Sequence, residues 1–176
     1  AEPTVAEVVP LGGNNADEML RMAACMEEHF PHSMAKAVVN AAQDKGLIHE
    51  EFHSKVEYIV AHGISSKIND QKVVVGSYHF VFEDEESQIP EGMEEKFQEL
   101  PSEYSHLYMA IEGKLAAVIC IEDPLREEAP QIIKNLKAAG ISKVVMMTGD
   151  SDRTAKAIAK RVGVDVYYCL LYTSDA

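Results

Sequence analysis

An apolar segment that ends in a hydroxyl, a glycine and a carboxylate is the part of this sequence most suited to phosphate chemistry. Val144–Met147 is followed by Thr148, Gly149 and Asp150, and a helical pattern begins directly afterwards. A hydroxyl can hydrogen-bond a phosphoryl oxygen, glycine lets the backbone approach closely, and a helix N-terminus presents free N–H groups to an anion. We therefore expect Thr148 and Asp150 to lie at a phosphate-binding strand end, although these residues alone fit an ordinary turn equally well.

The segments around this strand end occur in an order that resembles a known family. Ile121–Arg126 reads Ile-Glu-Asp-Pro-Leu-Arg, a helical pattern closes at Leu136–Ile141, and Met147–Asp150 follows. This order is similar to that of the phosphorylation domain of P-type ATPases, which belong to the haloacid dehalogenase-like superfamily. The resemblance implies catalytic roles for two residues: Thr148 holds the phosphoryl group, and Asp150 lies near the nucleotide phosphates.

An upstream stretch resembles the segment that carries a His-Pro pair in the heavy-metal-transporting subfamily of these ATPases. In that subfamily four residues separate a glutamate from the pair. Here Glu27 and His32 keep the spacing, Ser33 stands in place of the proline, and Pro31 precedes the histidine. The resemblance implies that the imidazole stacks on or hydrogen-bonds adenine, while the carboxylate accepts its exocyclic amine. Without this context, a partly buried histidine that joins two helices is the alternative.

Two glycine motifs extend the resemblance to the nucleotide-binding domain. The family's loop, Gly-x-Gly followed by an aliphatic residue, corresponds to residues 61–64, where alanine replaces the first glycine. We expect Gly63 to let the adenosine moiety approach the backbone, and Ala61 to restrict positive φ angles in the first half of the loop. A Gly-Asn pair of the family corresponds to Gly76 and Ser77. The implied ATP-binding residues are Glu27, His32, Ala61, Gly63, Ile64, Gly76 and Ser77.

The resemblance also implies which parts of the reaction this sequence lacks. The Asp-Lys-Thr-Gly-Thr-Leu-Thr stretch whose aspartate the family phosphorylates does not occur, and neither do the downstream lysine and the Gly-Asp-Gly-x-Asn-Asp magnesium loop. We expect ATP and Mg²⁺ as cofactors, with most magnesium ligands outside this sequence and no metal site within it. Because phosphoryl transfer depends on these groups, we expect the chain alone to bind nucleotide without turnover.

Periodicity and turn residues predict an α/β (α+β) architecture in two parts. By the family resemblance, we expect residues 1–121 to be an ATP nucleotide-binding domain, an antiparallel sheet flanked by helices, and residues 122–168 to be a partial Rossmann-like phosphorylation domain of haloacid dehalogenase type. Strands are predicted at Thr4–Val9, Val56–Val60, Ile64–Ile68, Lys72–Val75, Leu107–Ile111, Leu115–Ile121 and Lys143–Met147. Helices are predicted around Met19–Met26 and at Met34–Lys45, Met93–Leu100, Glu127–Ala139 and Asp152–Arg161.

Local signals refine the ends of these elements. Asn14 or Asn15 is predicted to cap the first helix, Ser33 the second, and Gly46 to close the second. The acidic stretch from Glu83 to Glu91 has no apolar face and is predicted to be a solvated loop. Residues 169–176 fit neither part of the pattern, and we expect them to be a non-native tail, with a genuine terminal strand as the alternative.

Composition and charge exclude several classes of protein. The 176 residues are 47% hydrophobic and 26% charged, which is typical of a folded globular domain. A net charge of −13 repels a phosphate backbone, so nucleic acid is not expected as a partner. Leu115–Ile121, the best apolar run, is far shorter than the roughly 20 residues of a membrane helix. Cys25, Cys120 and Cys169 show no metal-binding or disulfide spacing, which favours a reducing cytoplasmic setting.

The leading hypothesis is that the chain is the ATP-binding cytoplasmic part of an integral membrane pump that transports a heavy-metal cation. Since the sequence opens at Ala1 without a leader, we expect it to be a monomeric piece of a longer protein, whose membrane and actuator domains are its partners. One alternative is a stand-alone phosphatase of the same superfamily, for which Asp150-Ser151-Asp152 offers a superficial Asp-x-Asp pair. A non-catalytic nucleotide-binding module is the other.

Overall fold

The computed structural model describes residues 2–28, 33–47, 57–59, 63–148 and 152–169. The strands are β1 (Thr4–Pro10), β2 (Glu57–Ile59), β3 (Gly63–Ile68), β4 (Gln71–Gly76), β5 (Ser105–Ile111), β6 (Lys114–Glu122), β7 (Val145–Thr148) and β8 (Val166–Cys169). The α-helices are α1 (Ala16–Glu27), α2 (Ser33–Asp44), α3 (Glu94–Gln98), α4 (Pro124–Ala138) and α5 (Asp152–Val162), and a π-helix spans His79–Asp84.

The first six strands form one antiparallel sheet in the order β1-β6-β5-β4-β3-β2. Two tight hairpins build its centre. Asn69-Asp70 and Glu112-Gly113 connect β3 to β4 and β5 to β6, and all four residues have positive φ angles between 49° and 78°. Two-residue loops with this backbone twist match the twist of the flanking strands. The hairpins therefore fix the register of the central strands from local sequence.

The central strands are buried on both faces, which explains why they read as nearly continuous apolar runs rather than as alternating patterns. Along β5, Leu107 and Met109 point into one core while Tyr108 and Ala110 point into another. Helices α1 and α2 cover the first face, and the π-helix and α3 contribute to the second. This sheet with two cores is the larger part of the chain.

Two predicted capping residues lie where the sequence indicates, Asn15 at the start of α1 and Gly46 at the end of α2. The Asn15 side chain accepts a hydrogen bond from the Glu18 backbone N–H at 3.0 Å, so Asn15 rather than Asn14 caps α1. At the end of α2, Gly46 adopts a positive φ of 66° and its N–H bonds the Gln43 carbonyl. Glycine suits this position because it has no Cβ to clash in the left-handed conformation.

A smaller unit follows β6, in which α4, β7, α5 and β8 succeed one another and β7 pairs with β8 in parallel. The Asp165 carboxylate joins its parts, since it accepts hydrogen bonds from the Val144 N–H and the Lys137 ammonium, both at 3.0 Å. Arg161 on α5 contacts the backbone carbonyl of Glu103, which lies in the loop before β5, at 3.4 Å. Among the described helices, none has the length and apolar content needed to cross a membrane.

The predicted fold class, an antiparallel sheet flanked by helices and followed by a βα unit, is confirmed. Two predictions need correction. The stretch after β4 forms a π-helix that includes Glu83 and Asp84, which were expected in a loop, and α4 begins at Pro124 rather than at Glu127. Cys169 is the last residue of β8, whereas residues 170–176 of the expected tail lie outside the described part.

Candidate functional site

The two glycine motifs meet at one end of the large sheet. Gly63 is the first residue of β3 and Gly76 the last residue of β4, and the two are direct partners across the antiparallel ladder. Ile64 is buried beneath this end, in the core under α1 and α2. Ser77 follows Gly76 and is half-buried. Four of the predicted nucleotide-binding residues therefore lie next to one another because a single hairpin aligns them.

Gly63 is a glycine because of a close contact rather than an unusual backbone angle. Its φ is not among the positive values of the chain, so other residues could adopt its conformation. A Cβ atom at this position, however, would lie 2.2 Å from Cδ1 and 2.5 Å from Cε1 of Phe80, and 2.6 Å from the carbonyl oxygen of Val75. The aromatic ring fills the space of the missing side chain. The expected approach of adenosine to the Gly63 backbone stays a prediction.

Ser77 lies two residues before the π-helix and binds the backbone of its first turn. Its Oγ accepts a hydrogen bond from the Phe80 backbone N–H at 3.2 Å, and its carbonyl accepts one from the Val81 N–H at 3.0 Å. The hydroxyl hydrogen is a separate donor, so the side chain can cap the helix and still donate to another group. Ser77 thus links the end of β4 to the segment that carries Phe80.

Glu27 lies at the C-terminal end of α1, the helix that packs on β1, β6 and β3. It is only 3% exposed, whereas its neighbour Glu28 is half-buried. His32, which the sequence analysis pairs with Glu27, lies outside the described residues, as does Ala61.

The predicted phosphate-binding strand end belongs to the smaller unit. Thr148 is the last residue of β7, where its backbone pairs with Cys169, and α5 starts at Asp152. A strand followed by a helix is the order that the sequence predicts. Asp150 lies between these two elements in the sequence, outside the described residues.

Three other titratable side chains of the large sheet and the π-helix are unreactive or contact polar partners. Burial raises the pKa of the Cys120 thiol to about 12, and the nearby carboxylates of Glu7 and Glu103 add to the effect, so the thiol is protonated at neutral pH and is a poor nucleophile. His106 is buried, and its Nε2–H donates to the Pro101 carbonyl at 2.6 Å. The buried imidazole of His79 contacts the carboxylate of Glu83 on the π-helix.

Sequence reasoning missed Phe80 as part of this site. The signal was present, since an aromatic residue four positions after Gly76 lies within the apolar run at 80–82. A one-dimensional pattern does not reveal which glycine such a ring will meet. The contact arises only when β3 and β4 pair and the π-helix folds back over the end of the sheet.

Known proteins resemble the chain over nearly its whole length. Copper-transporting ATPase 2 of Rhizobium meliloti (strain 1021) is 34% identical over 93% of the chain, and the cadmium, zinc and cobalt-transporting ATPase of Bacillus subtilis (strain 168) is 31% identical over 97%. These alignments cover 19% and 23% of the two relatives. The chain thus spans about a fifth of the length of the curated relatives it matches.

Solved structures give the same result for the fold. A zinc-transporting PIB-type ATPase in the E2.Pi state superposes with a TM-score of 0.58 and 26% identity, over 97% of this chain and 27% of that one. The N-domain of HMA8, a copper-transporting P-type ATPase, superposes with a TM-score of 0.58 and 27% identity, over 68% of this chain and 99% of that one. The family model of haloacid dehalogenase-like hydrolases matches residues 1–176, and the chain belongs to this family.

Proposed function

We propose that the chain is the ATP-binding catalytic part of a longer, membrane-embedded P-type ATPase that uses ATP hydrolysis to move a heavy-metal cation. In this proposal residues 1–121 bind the nucleotide, and residues 122–168 belong to the phosphorylation domain. Both parts face the cytoplasm, where ATP is available, and the remaining domains of the longer protein are the partners. The named relatives transport copper in one case and cadmium, zinc and cobalt in the other, so the proposal specifies a heavy metal as a class.

The observation that carries the proposal is the convergence of the two glycine motifs. Gly63 and Gly76 belong to separate sequence motifs, yet the β3–β4 hairpin makes them paired residues at one end of the sheet, with Ser77 adjacent. Glycine backbone and a hydroxyl at the end of a sheet suit the contacts that a nucleotide needs, because a ligand can approach bare backbone closely. Glu27 would add a carboxylate for the exocyclic amine of adenine, and His32 an imidazole.

The described residues fit ATP with one restriction. Since Phe80 fills the Cβ side of Gly63, the nucleotide would contact this glycine from another side, and Gly63 is half-buried and not enclosed. ATP, when bound, supplies the phosphoryl group for transfer. The proposed roles of Thr148 and Asp150 are to contact that group and its surroundings, while Mg²⁺ is expected to rely on carboxylates of the longer protein.

The test is a titration of the purified chain with ATP and with magnesium-ATP, followed by calorimetry and by amide chemical shifts, together with a phosphate-release assay. We expect saturable binding without phosphate release. Replacing His32 by alanine should weaken binding by about 1–3 kcal/mol, the scale of one or two lost polar contacts. Phosphate release by the chain alone would instead favour a stand-alone phosphatase.

Adjacent glutamates provide a matched control. Glu27→Gln removes a buried charge at the proposed adenine contact, while Glu28→Gln changes the next, half-buried residue of the same helix end. The first substitution should lower ATP affinity and the second should leave it unchanged. Equal affinities of both variants and the unmodified chain would remove Glu27 from the site. If the unmodified chain binds no ATP, the proposed function is wrong for this chain.

A further inference from the structure

We propose that Phe80 is a positioning residue of the nucleotide site: its ring sets the backbone of Gly63 against that of Gly76 and Ser77 without touching the ligand. This inference rests on the proposed function, since it concerns the same site. It goes further in naming a residue outside the recognised motifs and in giving Gly63 a different physical role.

The first support is the contact between the ring and the glycine. Two ring carbons of Phe80 occupy the space of a Cβ at residue 63, at 2.2 and 2.5 Å from its ideal position. Such distances exclude any side chain at residue 63 while the ring stays in place. Because the φ angle of Gly63 imposes no need for glycine, the sequence choice at residue 63 follows from this crowding, in which the ring makes the two shortest approaches and the Val75 carbonyl oxygen, at 2.6 Å, the third.

The second support is that Phe80 is itself held on several sides. It is 1% exposed in the core opposite α1 and α2. Its N–H bonds Ser77 Oγ at 3.2 Å, and its carbonyl accepts the Glu85 N–H at 2.9 Å, the long-range bond typical of a π-helix. A packed ring on an anchored backbone can transmit its position to the strand that rests on it.

The contacts of Gly63, Gly76, Ser77 and Phe80 form a ring at the end of the sheet. Gly63 pairs with Gly76, Gly76 is bonded to Ser77, Ser77 caps the turn that carries Phe80, and the ring of Phe80 returns to Gly63. Three proposed nucleotide-binding residues are therefore held by one buried aromatic side chain. Binding sites lose affinity when their supporting side chains leave the backbone free to shift by an ångström or less. The short π-helix places the ring of Phe80 beside Gly63.

Phe97 offers a matched control for testing the role of Phe80. It is also a buried phenylalanine of the same core, on α3, where its ring lies 5.7 Å from that of Phe82 and 6.2 Å from that of Tyr108 between centroids. The atoms nearest to the Cβ position of Gly63 belong to Phe80 and Val75 and not to Phe97. A substitution at residue 97 therefore changes the core without changing the glycine contact.

The experiment compares Phe80→Leu and Phe97→Leu in the full chain by melting temperature, by the amide shifts of Gly63 and Ser77, and by ATP titration. Both variants should melt at lower temperature. Only Phe80→Leu should shift the two amides and weaken ATP affinity, by about tenfold, which is about 1.4 kcal/mol of binding free energy. Phe97→Leu should bind ATP within about twofold of the unmodified chain, since its site backbone is unchanged.

The outcomes separate the inference from the function on which it rests. If the unmodified chain binds ATP and both variants bind it equally well, Phe80 is an ordinary core residue and the inference is overturned while the proposed function stands. If the unmodified chain binds no ATP, the proposed function fails and the inference with it. Should Phe80→Leu fail to fold, Phe80→Met, whose flexible side chain adapts to irregular space in a core, takes its place with the same expected loss of affinity.

Discussion

The large sheet and the βα unit that follows it differ in how completely each covers its apolar surface. In the sheet, Ile119 and Val118 point into opposite cores and both are fully buried. In the smaller unit, Ala155, Ala159 and Val162 are buried on α5, while four large apolar side chains are 42–49% exposed. These are Ile132, Leu136, Ile141 and Val145.

The difference follows from topology. Antiparallel strands joined by two-residue hairpins complete their hydrogen bonding within a short stretch of sequence, and helices from either side can then cover them. Parallel strands need a crossover helix for each added strand and are stable when both faces are covered. Apolar surface is therefore left exposed on α4 and β7, and we expect the two regions to contribute very unequally to stability.

A pair of isoleucine truncations tests the unequal stability of the two regions and has the largest expected effect. Ile119→Ala leaves a cavity between the sheet and its helices and should lower the free energy of unfolding by about 2–5 kcal/mol. Ile132→Ala removes a side chain that is 49% exposed and should change it by less than about 0.5 kcal/mol. Urea unfolding, followed by far-UV circular dichroism and by amide NMR signals, measures the free energy of unfolding of both variants. Similar losses for the two variants would contradict the unequal division.

A helix cap gives an intermediate effect within the large region. Asn15→Ala removes the side-chain oxygen that accepts the Glu18 N–H at 3.0 Å, and should cost about 1 kcal/mol of unfolding free energy. The exposed Asn40 in the middle of α2 is the control, because alanine there is a better helix former and should be neutral or slightly stabilising. Equal effects of the two substitutions in thermal unfolding would argue against the cap.

Asp165 tests whether the smaller unit has a stability of its own. Hydrogen bonds from the Val144 N–H and from Lys137, with the charges of Lys137 and Lys143, lower the pKa of Asp165 below its ordinary value of 3.8. A group whose pKa is lower in the folded state contributes stability that is fully present above its unfolded pKa. That contribution is lost as the pH falls through the folded pKa. Asp165→Ala should therefore reduce amide protection in β7 at pH 7, and this effect should decline as the pH falls below 3.8 and disappear below the lowered folded pKa.

Lys137→Ala is the control for that experiment. It removes the exposed ion pair but keeps the hydrogen bond from the Val144 N–H, so it should have the smaller effect on hydrogen exchange of β7. If the lysine variant exchanges as fast as the aspartate variant, the backbone bond is not what holds the unit together. Unchanged protection in β5 and β6 is expected in both variants.

The smallest expected change in stability concerns the exposed apolar stripe of α4. Ile132→Lys and Leu136→Lys place charges at positions that are nearly half exposed, so the unfolding free energy should stay within about 0.5 kcal/mol. Binding of an apolar dye should fall at the same time, because the surface that it recognises is removed. A large loss of stability would show that these side chains are packed in solution.

Much of the fold could be predicted from local sequence, and the candidate site only in part. The hairpins, the cap at Asn15 and the C-terminal glycine at Gly46 depend on contacts within a few residues, and the structure has them where the pattern predicts. The π-helix was not predicted, since its hydrogen bonds resemble those of an irregular turn until the surrounding core holds them. The proposed roles of Glu27, His32 and Thr148 remain predictions.

The amino-acid sequence by itself determined the class of fold, the order of the strands and helices, and the identity of the glycine motifs, because periodicity, turn residues and caps act over short distances. The hairpin register that pairs Gly63 with Gly76 is also local, whereas the position of the Phe80 ring in the space beside Gly63 depends on the tertiary structure. The reason is physical: the space available at a residue depends on which distant side chain packs against it, and local sequence does not encode that distance.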